Sequence, residues 1–221
     1  MAFQTPIEKK TALLLGIFVL ALATANLIGS KVTVLFGINV SVAIFTYPFT
    51  FVVTDIIEEV HGKKTSRFFV MVGALALMIL FILTSISVAL PAAERFADGA
   101  AAYNTTFQHS MRFILASLVA FILSQTHDIW AFEFWRKKTN GRLLWLRNNL
   151  STIISQGMDT FIFMFLAFYH LTDRFTAGYV AQLALTYWII KIIFAALDTP
   201  VVYAGVQWLK RGSAEKEVTK S

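Results

Sequence analysis

Asp55, Asp128, Asp159, Asp198 and Lys191 each interrupt a run of residues apolar enough to cross a bilayer. A carboxylate accepts hydrogen bonds from adjacent N–H donors, and a lysine ammonium can neutralise such a carboxylate. Near the bilayer centre a charge costs about 2.5 to 3.5 kcal/mol on insertion scales, so these groups are expected to turn inward around a shared polar interior. One lysine cannot neutralise four aspartates. The remaining carboxylates must be protonated, hydrogen-bonded to Gln or Ser, or held for a ligand. That is the chemistry of a pathway or binding site, with structural ion pairing the alternative for any single residue. For Lys191, pairing with a carboxylate on a neighbouring span is preferred to direct ligand contact. It lies about two turns from Asp198, on nearly the same helix face.

Two stretches repeat one pattern. Ser124, Gln125, Asp128 and Phe132 recur as Ser155, Gln156, Asp159 and Phe163 with identical spacing. On a helix these offsets put Ser, Asp and Phe on one face with Gln beside Asp. If the two stretches lie on successive, antiparallel spans, two amide and carboxylate pairs are expected at similar depth, both nearer the cytoplasmic side. Inverted repeats around a substrate site are a transporter device. A coincidence of few letters is the other reading.

The elements that must position these groups read as six spans, at 11–30, 40–60, 67–90, 111–134, 150–171 and 179–208. The chain is 57% hydrophobic and 14% charged, which fits a polytopic membrane protein better than a water-soluble globule. The expected fold is therefore an all-α integral membrane protein, a bundle of six transmembrane helices with a polar interior. Residues 1–10 form an N-terminal segment, 11–208 the transmembrane domain and 209–221 a polar tail expected to be disordered. The first span is read as retained, without a small-residue cleavage pattern.

Of the 19 Lys and Arg residues, fourteen fall on one side of this arrangement and four on the other, with Lys191 inside a span. By the positive-inside rule both termini are cytoplasmic, in a cell membrane, the inner one for a Gram-negative source. The net charge of +6 thus marks topology rather than a nucleic-acid surface. Arg136, Lys137 and Lys138 are expected to meet anionic lipid headgroups. The absence of cysteine excludes disulfides and thiolate metal sites. His61, His109, His127 and His170 have no spacing that places two imidazoles on one helix face, so neither metal nor cofactor is expected.

The second span is the irregular one. Residues 40–47 are rich in β-branched and aromatic side chains, and Pro48 removes a backbone donor at membrane depth, so a kinked or broken second helix is expected. Freed carbonyls there must be buried in protein or line a cavity, which makes the break a candidate site marker. A packing kink without function is the alternative. A second break is expected at Pro200 in the long sixth span.

Asn26 to Lys31, the run Pro48 to Glu59 (PFTFVVTDIIEE) with Gly62 to Arg67, Ser124 to Phe132, and Asn148 to Phe163 (NNLSTIISQGMDTFIF) together resemble the signature segments of the queuosine precursor transporter family, also called the vitamin uptake transporter family. The similarity runs from about residue 11 to 208, in order and on the right spans. It implies a membrane importer of 7-cyano-7-deazaguanine or a related 7-deazaguanine, used for tRNA queuosine modification. A guanine-like edge presents an N1 donor beside an exocyclic amine, which a carboxylate accepts together. Asp55, Asp128, Asp159, Gln125, Gln156 and Asn26 could read that edge. Phe51, Trp130, Phe132 and Phe163 could stack on the ring, with core packing the bland alternative for each. Lys191 and Asp198 are the structural or coupling charges.

The expected partners are this small molecule and membrane lipid, with a homodimer or a separate ATPase module left open. The chain has no P-loop, nucleophile elbow or H-E-x-x-H, so an enzyme is the least favoured class.

Overall fold

A computed structural model describes residues 6–138, 144–197 and 199–218; at some positions inside its helices, Gln125, Asp128 and Phe132 among them, it describes the backbone alone. Among the described residues are seven α-helices: α1 Pro6–Ile28, α2 Tyr47–His61, α3 Lys63–Ala89, α4 Ala97–Lys138, α5 Leu144–Phe168, α6 Ala177–Leu197 and α7 Thr199–Val218. Three described stretches, Ile7–Ile28, Lys64–Ala89 and Glu94–Ser124, are long and apolar enough to cross a membrane. Ile153–Phe168 and Ala177–Ile193 are shorter apolar helices.

The fold departs from an all-α bundle between α1 and α2. The β-branched run after Lys31 forms an antiparallel hairpin, β1 Val32–Leu35 with β2 Ile38–Ser41, in the register Leu35 to Ile38 and Val32 to Ser41. Phe36 and Gly37 make its turn at φ 51° and 79°. Two consecutive positive φ values mark the two-residue turn whose twist matches the strands, and glycine takes such a conformation without steric cost. A 3-10 turn, Val42–Phe45, follows. Ser41 ties the junction together: its Oγ donates to the Gly29 carbonyl at 2.6 Å and accepts from the Ala43 N–H at 3.2 Å. The Tyr187 hydroxyl, from α6, donates to the Ser41 carbonyl at 2.8 Å.

Pro48 therefore does not kink a span. It occupies the first turn of α2, where its missing N–H has no intrahelical partner to lose, and the β-prone residues before it leave the helix entirely. The α-helix in this stretch, α2, is only 15 residues long. At 1.5 Å per residue that is roughly 22 Å, short of the roughly 30 Å hydrocarbon core.

The other boundaries shift for local reasons. α4 is 42 residues long because the Ala-rich stretch before Ser110, a good helix former without an apolar face, continues the helix beyond the expected span. The described part of the sixth span comprises α6, up to Leu197, and α7, from Thr199, with Pro200 in the first turn of α7; the residue between them, Asp198, lies outside the described residues. Helix α7 runs to Val218, over most of the segment expected to be a disordered tail.

Two apolar cores hold the bundle. One joins β2, α4, α5 and α6 through Val40, Phe113, Met164, Phe168, Leu183 and Tyr187. The other joins α1, α2, α3 and α7 through Leu14, Phe18, Ile57, Phe69, Val206 and Leu209. At Gly205 a β-carbon would collide with Ile56, so glycine is what lets α7 lie this close to α2. α4 and α5 pack antiparallel: His127 Nδ1 meets Ser155 Oγ at 2.9 Å, and Arg112 Nε, further up α4, donates to the Leu166 carbonyl at 2.7 Å. Arg112, expected in a connection, caps the last carbonyls of α5. Lys10 Nζ donates to the Trp208 carbonyl at 2.5 Å, which brings the start of α1 and the last helix to the same end of the molecule.

Candidate functional site

A cavity of about 230 Å³ lies in the middle of the bundle, among α1, α2, α3, α4 and α5. Its polar wall comes from Tyr47, Thr50 and Thr54 on α2, Ser117 on α4 and Asp159 on α5. Phe18, Phe51, Phe121 and Phe163 supply flat apolar surface. Thr50 and Thr54 are one turn apart on α2, so a single helix face delivers both hydroxyls, and Phe51 lies beside them.

Every one of these hydroxyls except that of Tyr47 donates inward to the protein. Thr50 Oγ1 donates to the Tyr47 carbonyl at 2.7 Å and Thr54 Oγ1 to the Phe51 carbonyl at 2.9 Å. Ser117 Oγ donates to Asn26 Oδ1 at 2.7 Å. Asn26, buried on α1, is held in turn by its Nδ2 donating to the Leu22 carbonyl at 2.9 Å. With their protons committed, the oxygens of Thr50, Thr54 and Ser117 offer lone pairs. Together with the Asp159 carboxylate they make the described wall rich in acceptors.

Lys191 of α6 meets this wall from behind. Its Nζ lies 3.1 Å from Asp159 Oδ2 and 5.5 and 6.0 Å from the ring centres of Tyr47 and Phe51. Tyr47 and Phe51 are themselves stacked, with centroids 6.0 Å apart. One ion pair and two rings thus tie α2, α5 and α6 together at the edge of the cavity.

The structure brings together some of the expected residues and separates others. Asp159, Phe51 and Phe163 line the cavity, and Asn26 stands one layer behind it through Ser117. Asp55 does not line it: one residue beyond Thr54, the helix has turned it about 100° away, and it is exposed. Trp130 is 62% exposed and stacks on Phe134 rather than on the cavity. Gln156 is half-buried but outside the lining. The side chains of Gln125, Asp128 and Phe132, and Asp198 altogether, lie outside the described residues.

The expectation that the two repeated carboxylates share a depth also needs correction. With His127 opposite Ser155, Asp159 stands level with about residue 123 of α4, five residues or roughly 7 Å from Asp128 along the bundle. A motif repeated in sequence keeps one depth across antiparallel helices only if its centre coincides with the crossing point, and here that point lies nearer the Gln positions. Tyr47, Thr50, Thr54, Ser117 and Phe121 were missed, because hydroxyl and aromatic residues in an apolar span look like packing. The one-turn spacing of Thr50 and Thr54 is the signal that marked this face.

Residues 41–205 match the family described as "Putative vitamin uptake transporter". The chain is 33% identical over 195 residues, 86% of its length and 83% of the relative's, to a Bacillus subtilis protein named "Probable queuosine precursor transporter". It is 27% identical to the "Queuosine precursor transporter" of Escherichia coli over 80% of this chain and 76% of that protein. No solved structure matches the chain. A mostly helical bundle with several apolar spans, a cavity at its centre and this family match over three quarters of the sequence lead to one conclusion: the chain belongs to the vitamin uptake transporter family, and is a membrane transporter rather than an enzyme.

Proposed function

We propose that this protein imports 7-cyano-7-deazaguanine, or a related 7-deazaguanine, and that the central cavity is where the ring binds. The observation that carries this reading is Asp159, a carboxylate facing a cavity with aromatic walls and committed hydroxyls. A guanine-like edge offers an N1–H and an exocyclic amine side by side, the pair of donors a carboxylate takes best. The hydroxyl oxygens accept from the remaining N–H groups. A 7-deazaguanine has carbon where guanine has the N7 acceptor, and in the 7-cyano compound the acceptor is the nitrile nitrogen, carried further out from the ring, so the two rings differ in shape at this edge. Phe51, Phe121 and Phe163 line the cavity and in this reading cover the ring faces. About 230 Å³ falls below the range of roughly 300 to 1,000 Å³ common for drug-sized ligands, which favours a free base over a nucleoside.

In this reading α1 to α5 make five crossings and α6 with the first part of α7 makes the sixth, the hairpin and 3-10 turn completing the short α2. Both termini face the cytoplasm, in keeping with the charge asymmetry of the connections and the contact between Lys10 and Trp208. Labels near Lys64 should then be reached from the cytoplasm and labels near Asp98 from outside.

The test is uptake of labelled 7-cyano-7-deazaguanine by cells unable to make it, with and without this gene. Uptake should depend on the gene, and unlabelled guanine should compete less well than the 7-deaza ring. A well-expressed protein that supports no uptake would remove the substrate assignment.

A further inference from the structure

We propose that Lys191 sets the charge of ligand the cavity accepts, holding Asp159 in a neutral pair that favours uncharged rings over cationic ones of the same shape. The inference rests on the cavity being the substrate site. Among the described lining residues Asp159 is the one that carries a formal charge. Lys191 does not line that cavity. It lines a separate space of about 20 Å³ with Ile44, Pro48, Tyr187 and Ile190, too small for a ligand. Tyr47 and Phe51 line both spaces, so their rings form the partition and the ion pair passes beside them.

The pair is asymmetric. The Lys191 side chain is 11% exposed and that of Asp159 34%, so the carboxylate faces the cavity while the ammonium is shut away behind it. The ammonium contacts Oδ2, and the ring faces of Tyr47 and Phe51 hold it in place. A neutral ligand can donate to the carboxylate without displacing the lysine, and the enclosed charge stays at zero. A ligand carrying an ammonium adds a second cation to a pair already neutral, in surroundings of low dielectric where like charges repel strongly. Removing Lys191 leaves the cavity negative, and a cationic ligand then supplies the missing counter-charge. Removing Asp159 instead leaves it positive.

The experiment uses the full-length protein in detergent and two probes, 7-cyano-7-deazaguanine and its 7-aminomethyl analogue, whose alkyl amine is protonated at neutral pH. Affinity for both and thermal melting are measured on the same samples of wild type, Lys191→Met, Asp159→Asn and the double variant. Wild type should prefer the nitrile. Lys191→Met should shift the ratio of affinities toward the amine by roughly tenfold or more, and Asp159→Asn should shift it the other way. The double variant, neutral again and free of an unpaired buried charge, should bind both probes weakly at about the wild-type ratio. A ratio that ignores charge in whichever single variant melts cooperatively, or a double variant that follows neither sign, overturns the assignment while leaving the cavity as the site. Wild-type protein that binds neither probe overturns the substrate reading and this inference with it.

Discussion

Asp159 on α5 and Asp55 on α2 are the same side chain in equally apolar surroundings in sequence, and the bundle uses them differently. Asp159 is half-buried, faces the cavity and meets a lysine from a third helix. Asp55 is exposed and lies toward the His61 end of α2, one residue past the last cavity-lining position of that helix. The contrast extends to the aromatics, where Phe51 lines the cavity and Trp130 stacks on a surface neighbour. A charge in an apolar run therefore marks a need for polar surroundings, and neighbouring helices decide which such charges line the cavity.

The largest expected effect tests that contrast directly. Asp159→Asn should lower uptake at least tenfold and also lower melting, since an uncompensated buried Lys191 typically costs about 3 to 5 kcal/mol. Asp55→Asn should cost less uptake than Asp159→Asn, because Asp55 lies outside the cavity lining. Equal losses from the two would erase the distinction.

Phe51→Ala should weaken ligand binding by about 1 to 3 kcal/mol, the contribution of one stacked base, whereas Trp130→Ala should not change affinity. Titration of both variants with the same ligand checks this. A binding defect in Trp130→Ala would place the ring site at the other end of the repeat.

Ser117→Ala separates the cavity wall from the layer behind it. It leaves the buried Asn26 Oδ1 without its donor, which should reduce stability by about 1 to 3 kcal/mol in melting or denaturant experiments. Binding should fall only severalfold, because one acceptor among several is lost. A complete loss of binding at unchanged stability would make Ser117 a direct reader of the ligand.

The smallest effect is expected far from the cavity. His61 Nε2 and Thr11 Oγ1 are 3.0 Å apart in an exposed contact between α2 and α1. His61→Ala should change stability by about 1 kcal/mol or less and leave uptake at the wild-type level. Lost uptake there would show that this end of the bundle takes part in transport.

The polytopic class and the family were legible in the sequence, because each rests on local composition or motif order. The lysine's need for a partner on another helix was legible too, since Asp198 is too far along its own. The hairpin was not. Val32–Leu35 and Ile38–Ser41 are too short to outweigh a reading of residues 40–60 as one continuous span, and only pairing with each other and with Gly29 and Tyr187 fixes them. Nor was the sharing of the cavity among five helices.

What the amino-acid sequence determined by itself was which side chains are costly to expose to lipid, because a charge near the bilayer centre loses its hydration. Only the tertiary structure decided that Asp159 meets Lys191, that Asp55 turns away, and that three hydroxyls present lone pairs beside the carboxylate. Those outcomes depend on the register of α4 against α5 and on where α2 begins. Each step along a helix rotates a side chain by about 100°, so a shift of one residue exchanges a cavity-facing group for a surface one.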